Sequence, residues 1–94
     1  MRDQYFEWDD AKAARNVADH AISFDLARGA FDDPHAIDLA DDRFAYDEDR
    51  YVLTGTVAGR VVVVAYTIRS GRYRLISARL AEPIEKRKYH EQPR

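Results

Sequence analysis

The chain contains no cysteine, which excludes disulfides, thiolate metal sites and cysteine nucleophiles. Glycine and proline are scarce, four and three in 94 residues, and no repeat, linker or low-complexity tract interrupts the sequence. The longest wholly apolar run, Val61 to Tyr66, falls far short of the roughly 20 residues needed to cross a bilayer. The opening Met1-Arg2-Asp3-Gln4-Tyr5 lacks the basic-then-apolar pattern of a secretory signal. A soluble cytoplasmic protein without a membrane association is therefore the expectation. A glycine-rich phosphate loop, a Gly-x-Ser-x-Gly elbow and a heptad seam are all missing. His20, His35 and His90 are too dispersed to found a zinc site, and Asp41–Asp49 lacks the central glycine and closing glutamate of a calcium loop. No metal and no cofactor are expected.

What is present suits one small folded domain over residues 1–94. Hydrophobic residues make up 46% and charged residues 34%, a composition that can bury a core and is unlike that of a disordered chain. The formal charge of −2 conceals two opposed halves. Residues 1–49 carry five Lys/Arg against fourteen Asp/Glu, whereas residues 50–94 carry ten against three. A basic half of this kind can draw phosphates, and an acidic half can meet a basic partner.

The local patterns predict an α+β fold: two N-terminal helices, a three- to four-stranded antiparallel sheet and a C-terminal helix, with the helices on one face. Asp9 or Asp10 can cap a first helix that runs to about His20 and presents Ala11, Ala13, Ala14, Val17 and Ala18 as its apolar positions. Ser23 can cap a second helix, Phe24 to Phe31, which Asp32-Asp33-Pro34 ends. His35 to Ala40 reads as a short strand and Asp41–Asp49 as an acidic loop. Arg50 to Val57, Arg60 to Ile68 and Tyr73 to Leu80 read as strands, joined at Ala58-Gly59 and at Arg69-Ser70-Gly71-Arg72. The middle run is apolar on both faces and so belongs at the centre. Glu82-Pro83 starts the last helix.

Strict alternation in the last strand puts Arg74, Ile76, Ala78 and Leu80 on one face and Tyr73, Leu75, Ser77 and Arg79 on the other. Arg50, Arg60, Arg69, Arg72 and Arg74 fall at strand ends or turns, where their planar guanidinium groups suit phosphate oxygens, the alternative being that they solubilise a sheet edge and pair with the acidic loop. Lys12, Asn16 and His20 form one stripe of the first helix, either a functional row or a favourable cationic helix end at His20. Tyr66 and Tyr89 are the tyrosines of interest.

Phe6-Glu7-Trp8-Asp9, then Lys12, Asn16 and His20, then Ser23-Phe24 and Phe31-Asp32-Asp33-Pro34, resemble the opening of the BrnT toxin family. The likeness resumes at Asp49-Arg50, Gly55, Gly59-Arg60, Val61–Tyr66 with Thr67 and Arg69, and Arg74-Leu75-Ile76-Ser77-Ala78-Arg79. Glu85, Arg87 and Tyr89 resemble its closing helix, so the likeness covers roughly residues 5–90. Asp19, Ala21 and Leu80 depart from the usual residues, as does Asp49, where Glu is more common. The resemblance implies a RelE-like fold and a metal-independent ribonuclease that arrests translation. It also implies a BrnA-type antitoxin partner, a heterotetramer, and contact with operator DNA only through that antitoxin.

Metal-free cleavage can use the RNA 2′-OH as nucleophile, which calls for a base, an acid and fixed cations around the phosphorane. The candidate catalytic groups are Arg79 and Arg69 as phosphate clamps, Glu48 or Asp49 as base, and His20 as acid, with Lys12 its alternative. Lys12, Arg50, Arg60, Tyr66, Arg74, Ser77 and Arg87 complete the expected substrate-binding set. A non-catalytic RNA- or protein-binding module using the basic half is the alternative function.

Overall fold

A computed structural model of the chain describes residues 1–43 and 47–93; residues 44–46, the middle of the expected acidic loop, lie outside the described residues. The elements follow in the order β1 (Phe6–Glu7), α1 (Asp10–His20), α2 (Phe24–Ala27) with a 3-10 segment (Arg28–Asp32), β2 (Ile37–Ala40), β3 (Tyr51–Val57), β4 (Arg60–Arg69), β5 (Arg72–Leu80) and α3 (Pro83–Glu91). The strands form one five-stranded sheet in the order β1-β5-β4-β3-β2. The class is α+β, but the sheet is mixed and not purely antiparallel. β1 runs parallel to β5, pairing Phe6 with Tyr73 and Glu7 with Arg74. Two residues are too few to display a period, which is why β1 is silent in the sequence.

Local chemistry sets the element ends. The Asp9 carboxylate accepts from the Ala11 and Lys12 N–H groups, and Ala21 closes α1 with φ 59° and an N–H bond to Val17 O. Ser23 Oγ accepts from Leu26 N–H at 3.0 Å to open α2. The expected single helix over Phe24–Phe31 tightens after Ala27, because Gly29 follows. A Cβ there would sit 2.7 Å from Val57 Cγ2, so the segment approaches β3 at a distance only glycine permits. Ala58 and Gly59 both take positive φ, as do Ser70 and Gly71, which is the requirement of two-residue hairpin turns matched to strand twist.

β4 is central, and each of its faces needs a cover. Val62, Val64 and Tyr66 join Trp8, Ile22, Phe24, Leu53, Leu75 and Ala78 in a core beneath α1, α2 and the 3-10 segment. Val61 and Val63 pack with Ala81 and Tyr89 in a second cluster that includes Ile37 and Val52. The helices thus lie on both faces, which corrects the one-face expectation. A strand whose Val61 to Val64 are all buried cannot be satisfied by a single layer. α3 has a two-sided cap, with Glu82 and Glu85 each accepting from the other's backbone N–H and Pro83 in its first turn.

α3 is held down by a polar knot. Tyr89 Oη donates to Asp33 Oδ2, which also accepts from Thr56 N–H (2.8 Å) and Thr56 Oγ1 (2.9 Å). His35 N–H donates to the other carboxylate oxygen at 2.9 Å. Burial opposes ionisation of Asp33, but these donors outweigh it and hold its carboxyl well below the usual carboxylate range.

Candidate active site

The second face is covered by α3 at one end only, and a bulge in β5 decides what its open half displays. Ala65 pairs with Ser77, while the next residue, Tyr66, pairs with Leu75, leaving Ile76 as an extra residue. The insertion reverses the alternation. Leu75 and Ala78 both enter the aromatic core, whereas Ser77 and Arg79 join Arg74 on the open face. This corrects the expected split, which set Arg79 beside Leu75 and Tyr73. Strict period-2 reasoning cannot see an inserted residue.

Asn16 locks the bulged stretch. Its Nδ2 donates to Ala78 O at 2.8 Å and to Ile22 O at 2.9 Å, and its Oδ1 accepts from Ala78 N–H at 3.1 Å. β1 ends at Glu7, opposite Arg74, so beyond that point the side-chain amide takes the place of a neighbouring strand for Ala78. Asn16 is the buried residue of α1, while Val17 is 47% exposed. Of the apolar positions of α1, Ala13 packs against the core while Ala11, Ala14, Val17 and Ala18 are exposed, so the helix is seated chiefly by Asn16, because buried backbone groups need a partner.

Two adjoining recesses meet at Ile76 and Ser77. One, of about 290 Å³, is lined by Lys12, Arg15, Asn16, Asp19 and His20 with those two residues. The other, of about 240 Å³, adds Arg50, Arg79, Arg43, Asp41, Val52, Val63 and Ala65. Lys12, His20, Ser77, Arg50 and Arg79 are thereby brought onto one continuous surface.

The arginines of this face are not bare. Arg79 forks onto Glu85 with N···O distances of 2.8 and 2.9 Å, and Glu85 Oε1 also accepts from Glu82 N–H at 2.8 Å. The Arg79 bonds hold the Glu85 carboxyl below the usual range. Arg69 pairs with Glu48 at 3.0 Å. Thr67 Oγ1 donates to Asp49 O, so Asp49 fixes this segment by its backbone while its side chain stays exposed. Arg74 pairs at 3.0 Å with Glu7, which is nearly buried and lies 3.4 Å from Arg2 as well. Glu7 and Glu85 are the partners that sequence reasoning did not assign to the site. The one signal for Glu7 was its place between two inward aromatics, Phe6 and Trp8.

Other expected site residues are dispersed. Arg79 lies opposite Val63, and Val63 to Arg69 is six residues of β4, about 20 Å of strand. Arg79 and Arg69 thus flank different stretches of any ligand. Arg60 stands at the far end of β4, and Arg87 is exposed on α3. Tyr66 is turned away from the open face. It is 3% exposed, stacks on Tyr51, and places its Oη 2.6 and 2.8 Å from the Asp38 oxygens. Burial, and then Asp38, push its hydroxyl well above the usual tyrosine range, so it is a core donor facing the aromatic layer. Among the described residues, no three His, Asp or Glu side chains converge as a cation site. No described helix is long and apolar enough to cross a membrane.

The model of the ribonuclease toxin BrnT of type II toxin–antitoxin systems matches residues 8–85. The chain belongs to this BrnT family. The matched span contains α1 with Asn16, the bulge, Arg79 and its partner Glu85, so both recesses lie within the region characteristic of BrnT toxins. Membership brings an RNA substrate and an antitoxin protein partner with it. No curated protein matches the chain.

Proposed function

We propose that this chain is a single-domain, RelE-like endoribonuclease that cuts RNA without metal, arrests translation, and is silenced by a BrnA-type antitoxin in a heterotetramer. The observation that carries the reading is the continuous surface around Ser77, where Arg50 and Arg79, among four lining arginines, meet the Lys12–His20 stripe over a partly apolar floor. In this reading Arg79 and Arg50 grip the scissile phosphate, and Ser77 positions it. Glu85, kept ionised by Arg79, takes the 2′-OH proton as O2′ attacks phosphorus. The P–O5′ bond breaks, His20 or Lys12 protonates the departing 5′ oxygen, and a 2′,3′-cyclic phosphate remains. Glu48, Asp49, Arg69 and Arg74 serve the flanking strand from the other end of the face.

The test is induced expression in a bacterial host, wild type beside Arg79→Ala, with total RNA followed over time. Growth arrest and RNA loss are expected in the wild type alone, with a purified-enzyme rate loss of about 10²–10³-fold for the variant. Cleavage should persist in chelator and leave cyclic phosphate ends. A folded Arg79→Ala protein that remains as toxic as wild type would sink the assignment. The glutamates on Arg69, Arg74 and Arg79 favour one other reading, a binding module whose arginines are occupied by ion pairs. That reading predicts salt-sensitive RNA binding by the wild type with no cleavage.

A further inference from the structure

Away from the two recesses, a third cavity of about 290 Å³ opens at the β3–β4 turn and is lined by Gly59, Arg60, Val61, Leu80, Lys86 and His90. We propose that Arg60, Lys86 and His90 form a second phosphate-binding site, which holds the RNA strand beyond the scissile position. This inference rests on the ribonuclease reading and extends it.

The three groups differ from the arginines of the open face in one decisive respect. Arg69, Arg74 and Arg79 each carry a glutamate, whereas among the described residues no carboxylate forms an ion pair with Arg60, Lys86 or His90. Arg60 and Lys86, side by side with no counter-charge, repel one another, and an anion relieves that repulsion. The cluster is also held by ordered backbone. The turn at Ala58 and Gly59 sets where Arg60 emerges, and Lys86 and His90 lie one helical turn apart on the same side of α3. Between them Tyr89 is buried and tied to Asp33, which fixes the rotation of that helix.

The cavity lies at the same end of the sheet as the Arg79 site. Leu80, part of its lining, lies opposite Val62 and leaves the sheet on the other face from Arg79, and Val63 opposite Arg79 is three residues from Arg60, about 10 Å of strand. A single RNA strand that leaves Arg79 around this end of the sheet can therefore lay a neighbouring phosphate between Arg60 and Lys86, beside Leu80, which is 45% exposed. A volume of about 290 Å³ suits a nucleotide-sized group. An arginine fork beside a lysine point charge suits phosphate oxygens.

The experiment uses the full chain, a single-stranded RNA of about a dozen nucleotides and the double variant Arg60→Gln/Lys86→Gln. The affinity of the double variant should fall about 10-fold or more at 0.1 M salt. Its log K against log salt should be shallower by about 1.4, or about 0.7 for each lost phosphate contact. Lys88→Gln removes an exposed α3 cation outside the cavity and should alter neither quantity. If wild type cleaves and the double variant binds RNA with unchanged affinity and slope, the second site is overturned and the ribonuclease reading stands. Unchanged RNA binding with weakened binding of a polyglutamate peptide would reassign the cavity to an acidic protein ligand. A wild type that neither binds nor cleaves RNA would overturn both readings.

Discussion

Ala65 and Tyr66 are neighbours in β4, yet they face different surroundings. Tyr66 looks into a layer closed by Phe31, Tyr51 and Tyr73, with ring centroids 5.1–5.4 Å away. Ala65 looks out onto a face that α3 covers only toward its far end, among Ser77, Arg79 and Arg50. The closed face spends large aromatic side chains on burial, and it is correspondingly rigid. The open face holds pre-aligned charges in pairs, each of which can be exchanged for a ligand oxygen. In the proposed reading one sheet serves stability and chemistry through alternate residues, and the bulge at Ile76 keeps the two sets apart where strict alternation would have mixed them.

The largest test of this division is at the closed face. Phe24 is 1% exposed and meets Trp8 edge-on at 5.6 Å. Phe24→Ala should cost about 3–5 kcal/mol of stability by chemical denaturation. Cleavage per folded molecule should hardly change, since Phe24 touches neither recess. A loss of activity at full folding would show that the two faces are not independent. Asn16→Ala acts at the joint and should cost less, about 1–3 kcal/mol, because Ala78 and Ile22 lose their buried partner. Unlike Phe24→Ala, it should also lower the cleavage rate of the folded protein by displacing Ser77 and Arg79. An active, merely destabilised variant would restrict Asn16 to a structural role.

The smallest effect concerns the anchor of α3. The folded pKa of Asp33 lies below its ordinary value of 3.8, so its carboxylate contributes stability that is complete above about pH 5. That contribution is lost as the pH falls through 3.8 toward the depressed folded value. The stability gap between wild type and Asp33→Asn should therefore be widest near neutrality and close progressively in acid. A gap independent of pH would mean that the charge of Asp33 is not what secures the helix.

Much of this architecture was legible in the residues themselves. The Asp9 cap, the Ala58-Gly59 turn, the central place of β4 and the Glu82-Pro83 start all follow from local chemistry that acts within a few residues. What escaped depends on groups far apart in the chain. Asn16 meets Ala78 across 62 residues and Glu7 meets Arg74 across 67, and neither pairing leaves a periodic trace. The bulge escaped for a related reason, because an inserted Ile76 looks the same as any strand residue until its partner is known. The surface around Ser77 gathers five of the expected groups, Lys12, His20, Arg50, Ser77 and Arg79, since those fall on α1 and on the open face. Tyr66 went the other way because its register opposite Leu75 places it in the core.

The Asn16 amide also bears on how the protein behaves in a crowded solution. The stretch of β5 past the bulge is an edge, and an edge with free N–H and C=O groups is a template on which a second chain can add a strand. By occupying both groups of Ala78, one asparagine interrupts that template at its midpoint. The molecule can thus keep an accessible, charged sheet border without inviting its copies to polymerise along it.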